Sequence, residues 1–102
     1  MPLQMHTERV TGTGSAINVD CGFSPKFVLI VNETDPGMFV WFDDMDDAEM
    51  GKLTNTVALT FATANGVSAY AGAIAATPAG FTIGADSDMN AASDVLHVMA
   101  LG

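Results

Sequence analysis

The sequence predicts an all-β fold: a single antiparallel β-sandwich, jelly-roll-like, of about seven to eight short strands with at most one short helical turn. Three observations predict it. Turn-forming residues recur about every eight to twelve positions, the rhythm of a sandwich or barrel. The segments between them alternate apolar and polar residues, or run apolar for a strand's length. Few stretches carry a helical period. The chain has 102 residues, which fits one domain and one modest core, with a folded surface of roughly 5,500 Å².

The elements follow in order. Residues 1–11 are polar and precede the first turn, so they read as an N-terminal arm that dangles unless a neighbouring subunit receives it. The β-sandwich domain then spans residues 12–102. "TGTGS", Thr11 to Ser15, is a turn-forming lead-in. "AINVD" follows with Ile17 and Val19 on one face. Pro25 in "CGFSP" cannot donate to a central ladder. "KFVLIVN" is the strongest strand, and its unbroken apolar run Phe27–Val31 predicts burial on both faces. "ETDPG" is a turn, and "MFVWF" is the hairpin partner, with Phe39 and Trp41 on one face and Phe42 on the other. "DDMDDAEMG" is the one plausible helical turn, stopped by Gly51. In "TNTVALTFAT", Val57, Leu59 and Phe61 share a face. "ANG", Ala64 to Gly66, predicts a hairpin turn, because Asn-Gly supplies positive φ at both central positions of a type I′ turn. "VSAYAGAIAA" reads as a strand of small residues and "GFTIG" as another. "DVLHVMAL" closes the chain, with Leu96, Val98 and Ala100 alternating against Val95, His97 and Met99.

Charge excludes several functions. The chain carries 3 basic and 12 acidic residues, a formal charge of -9. Nucleic-acid binding needs a basic footprint, and binding to an anionic membrane needs one too. Neither partner is expected. The single cysteine, Cys21, leaves no internal disulfide and reads as a small buried apolar residue. The N-terminus lacks the apolar core of a signal peptide, so synthesis in the cytoplasm is expected. An apolar content of 49% is high for so short a chain and points to surface buried against copies of itself.

The candidate chemical sites are weak. Asp86, Asp88, Asn90 and Asp94 occupy calcium-loop positions in "DSDMNAASD". However, Ala91 stands where the sharp turn needs glycine, and His97 stands where a bidentate glutamate is needed. Asx-type turns explain the same residues. "DDMDDAEM" crowds Asp43, Asp44, Asp46, Asp47 and Glu49, which repel unless solvent, a cation or a basic partner relieves them. His6 and His97 adjoin no convincing nucleophile. No serine sits in a Gly-x-Ser-x-Gly elbow, and "GTGSAI" is no phosphate loop. The chain is therefore expected not to be an enzyme and to hold no cofactor or metal. A partner interface is expected at Phe39, Trp41 and Tyr70 with Asp43, Asp44, Asp46 and Asp47. A core role for Phe39 and Trp41 is the competing reading.

Several features together resemble small structural proteins and fibre modules of tailed bacteriophages. They are Gly22, Phe23, Pro25, Lys26 and Val28 in the first strong strand; Trp41 and Met45; and Gly80, Phe81, Ile83, Gly84, Asp86 and Asn90 in the late segment. The resemblance covers residues 12–102 and implies a virion component with no catalytic residue. The expected function is that of a capsid decoration or cement protein, which binds the major capsid protein or another virion protein as a homo-oligomer and stabilises the shell. A trimer is expected, because local three-fold points are common docking sites on an icosahedral lattice. The alternative is a receptor- or carbohydrate-binding module of a tail fibre, using Trp41, Phe39 or Tyr70 with neighbouring carboxylates.

Overall fold

A computed structural model describes residues 3–55, 58–70 and 79–102. Among these residues the fold is all-β, with no helix. The strands are β1 (Met5–Thr11), β2 (Ile17–Asp20), β3 (Phe27–Asn32), β4 (Gly37–Phe42), β5 (Glu49–Thr54), β6 (Leu59–Tyr70), β7 (Gly80–Ile83) and β8 (Val95–Leu101). They form one antiparallel sheet in the order β1-β8-β3-β4-β5-β6-β7-β2. The strands β3 to β7 are a meander, and among the described residues no second sheet stacks on the first. The chain passes from β1 at one edge to β2 at the other through residues 12–16 alone. A link of five residues spans less than about 18 Å, so the sheet curls until its edges approach.

One face of the curl holds the core. Val28 and Ile30 of β3, Phe39 and Trp41 of β4, Met50 of β5, Phe81 and Ile83 of β7, and Leu96, Val98 and Ala100 of β8 are all buried there. Phe39 and Trp41 share a face, and Leu96, Val98 and Ala100 share another strand's face, as their alternation predicts; in both cases it is the face that meets the core. The accessible surface is 5608 Å², close to that of a compact chain of this size.

Three expectations change. Residues 5–11, read as an arm, are the edge strand β1, paired from Met5↔Leu101 to Thr11↔Val95. Val10 turns into the core, and that anchor is what a polar composition hid. The acidic stretch makes turns, not a helical turn, and Gly51 does not stop it. Glu49–Thr54 is strand β5, because Met50 buries inward, and Gly51 leaves room for Val40, whose Cγ2 would lie 3.1 Å from an added Cβ. Asn65-Gly66 is not a hairpin tip. Glu49 pairs with Val67 while Met50 pairs with Ala62, so residues 63–66 bulge out of one continuous strand. Asn65 takes φ 61°. The bulge turns the second half of β6 onto β7, from Val67↔Ile83 to Tyr70↔Gly80. A bent strand of this kind makes the corner that a curled sheet needs. The expected small-residue strand is seen only as far as Tyr70; Ala71–Ala76 lie outside the described residues, as does Val57.

Candidate functional site

The late segment 84–94 is a structural clamp. Met89 and Asn90 are fully buried beneath it. Asn90 Oδ1 accepts from Thr13 N at 2.9 Å, and Asn90 Nδ2 donates to Ser15 O at 2.7 Å and Gly84 O at 3.0 Å. One amide therefore ties the β1–β2 link to the end of β7. Asn32 does the same for the β3 end. Its Nδ2 donates to Met89 O at 3.1 Å and Asp94 Oδ2 at 2.8 Å, and its Oδ1 accepts from Thr34 N and Asp35 N. Asp86 Oδ1 accepts from Asp88 N, an Asx turn. Lys52 Nζ then bridges Asp86 Oδ2 at 2.8 Å and Asp88 Oδ2 at 2.9 Å. The two carboxylates aligned with calcium-loop positions thus face an ammonium group. Burial lowers the pKa of Lys52, but its bonds to the two aspartates outweigh that and hold it above the ordinary lysine value. Among the described residues no group of three or more His, Cys, Asp or Glu is arranged to hold a metal ion.

The expected interface residues divide. Phe39 is fully buried and Trp41 is 2% exposed, so both anchor the core and neither offers a ring to a partner. Trp41, Asp43, Asp47 and Tyr70 come together around a cleft of about 300 Å³, with Ser24, Pro25, Ala69 and Gly80. Trp41 Nε1 is buried without a hydrogen-bond partner among the described residues. Asp44 and Asp46 are exposed on the turn. The turn is fixed by Asp47 Oδ1 accepting from Ala69 N, Glu49 Oε1 accepting from Asp46 N and Ser68 Oγ accepting from Ala48 N. Cys21 is half-buried rather than fully buried, and burial first of all raises its thiol pKa.

The surface that sequence reasoning missed is the outer face of the sheet. Cross-strand registers place its residues in three rows. Met5, Leu101, Phe27 and Phe42 form the first. Thr7, Met99, Leu29, Val40, Gly51 and Phe61 form the second, and Arg9, His97, Val31, Met38, Leu53 and Leu59 the third. Phe61 is 67% and Leu59 64% exposed, and Met5, Met38, Phe42 and Leu53 are exposed as well. Phe27 and Phe42 pack against each other with ring planes tilted by 53° and centroids 5.2 Å apart. A groove of about 470 Å³ crosses the β1–β8–β3 end, lined by Thr7, Arg9, Leu29, Val31, His97 and Met99 among others. Beyond the bulge the outer face turns polar: Asn18 and Thr82 bond across β2 and β7 at 2.8 Å, and Ser68 sits opposite Thr82. The signal was in the sequence, in strands apolar on both faces.

Compared with known proteins, the chain matches no protein-family model, no curated protein and no solved structure. Among the described residues no helix is long and apolar enough to cross a membrane.

Proposed function

We propose that this chain is a structural component of a bacteriophage virion, a capsid decoration or cement protein that works as an oligomer and stabilises the shell. The observation that carries the reading is the outer face. Six strands, β1, β8 and β3 to β6, present three mainly apolar rows to solvent, whereas a monomeric protein keeps contiguous apolar patches small. Such a face belongs to a protein whose work is to be covered. The jelly-roll-like β-sandwich is part of this reading, since one apolar sheet face becomes half of a sandwich once a second layer lies on it. The resemblance carried by Gly22 to Val28 and Gly80 to Asn90 supplies the virion setting. The reading assigns no catalysis, cofactor or metal. Mass spectrometry of purified particles of the phage encoding the chain tests it. Many copies per particle, and particles that disrupt at lower temperature without them, are expected. Particles that lack the chain would sink the reading.

One observation favours a second reading, the receptor- or carbohydrate-binding module. The cleft sets Tyr70, Asp43 and Asp47 beside Trp41; sugar hydroxyls donate to carboxylates, and a sugar's C–H face stacks on an aromatic ring such as that of Tyr70. Trp41 is the sole tryptophan, so its fluorescence reports binding there. Titration with host-surface oligosaccharides that leaves the emission unchanged removes this reading.

A further inference from the structure

We infer that the occupant of the outer face is a second copy of this chain, packed sheet to sheet about a two-fold axis parallel to the strands. The inference rests on the assembly role proposed above and names the partner of that surface.

Strand β3 gives the first argument. Val28 and Ile30 are fully buried on the core side, while Phe27, Leu29 and Val31 on the other side are only half-covered. A strand apolar on both faces is the pattern of a strand buried on both faces. The second argument is extent. Six strands at about 4.8 Å spacing and six residues at about 3.4 Å rise give a patch of about 29 by 20 Å. That is roughly 600 Å² in projection, on the scale of one side of a standard protein–protein interface, about 800 Å² per partner. The registers run from β1 to β5 without a shift and break only between Glu49 and Met50. The rows are therefore continuous from β1 to β5, so the curled sheet presents them as a single layer.

Charge supplies the third argument. The chain's formal charge is -9, yet the side chains of the three outer rows include no carboxylate; at their border Glu33 bonds His97 and Glu8 lines the groove beside Arg9. Two copies meet on this face with few opposing carboxylates, while other approaches bring acidic surfaces together. Shape fixes the axis. Phe61 protrudes at the β6 end of the middle row, and the groove lies at the β1–β8–β3 end of the same row. A two-fold parallel to the strands reverses the strand order and keeps the rows in register. It sets Phe61 of each copy over the groove of the other, beside Thr7 and Met99.

Sedimentation velocity on the purified chain tests this, with Phe61→Asp on the outer face and Thr82→Asp on the polar wing. Both positions lie on the solvent side of the sheet, so circular dichroism should be unchanged. The wild type is expected to sediment as a dimer that tightens with added salt as acidic repulsion is screened. Phe61→Asp should weaken it by about 30-fold or more, and Thr82→Asp should not. A monomer at about 100 µM, a trimer, or a dimer indifferent to Phe61→Asp would overturn the inference. A monomer that still binds phage shells would overturn this inference and leave the assembly role standing. A Phe61-dependent dimer absent from all particles would support the inference and sink that role.

Discussion

Asn90→Asp separates a structural clamp from a ligand site. The substitution keeps the side-chain shape and the acceptor for Thr13 N. It replaces the two donors aimed at Ser15 O and Gly84 O with an oxygen. Each stranded buried carbonyl costs about 1–3 kcal/mol, and the new carboxylate is fully enclosed with one remaining donor. Some relaxation and water entry reduce the sum, so a loss of about 3–4 kcal/mol is expected at neutral pH. A chain of this length has about 5–15 kcal/mol in all, and a urea slope of about 1 kcal/mol/M turns that loss into a midpoint shift of roughly 3 M. The assay is urea unfolding followed by Trp41 fluorescence, with and without calcium. A variant as stable as the wild type refutes the clamp. So does a variant that calcium stabilises, because a calcium loop gains affinity from an added carboxylate.

Three further outcomes follow from the same structure. Gly84→Ala should lower stability by about 2–4 kcal/mol in thermal unfolding, since its Cβ would lie 2.3 Å from the carbonyl oxygens of both Asn65 and Gly66. Val28→Asp, at a fully buried position, should cost about 4 kcal/mol or more and leave little folded protein by circular dichroism. Stability should fall above about pH 9 to 10. The folded state holds the Lys52 and Cys21 protons more tightly than the unfolded state does. Their contribution is whole below the unfolded values and is lost as pH rises through the folded ones. Urea midpoints that drop equally in Lys52→Met and wild type would contradict the Lys52 part.

The strands with a single clear period were legible. Phe39 and Trp41 share a face, as do Leu96, Val98 and Ala100, as their spacing predicts, because a strand sends alternate side chains to opposite faces. Residues 59–61 show the limit of that method. Leu59 and Phe61 share a face as expected, but alternation alone does not say which face meets the core when both are apolar. The late segment was legible in chemistry, as Asx turns, but not in partners. Lys52 lies more than thirty positions from Asp86 and Asp88, and no local rule pairs them. Asn65-Gly66 misled because positive φ serves a bulge as readily as a hairpin tip; contact with Ala48 O and Gly84 decides between them. Strand β5 was hidden by its charged neighbours and by a glycine that works as a spacer beneath Val40 and Phe61.

Small-angle X-ray scattering of the purified chain measures most directly whether a second layer lies on the outer face. A lone copy has a Cα radius of gyration of 12.7 Å. Two copies stacked sheet to sheet, with centres about 20 Å apart, have a radius of roughly 16 Å. The value near 16 Å is expected, collapsing toward that of a lone copy in Phe61→Asp. A wild-type value near 13 Å at every concentration would mean that the apolar rows stay bare, and would contradict the account.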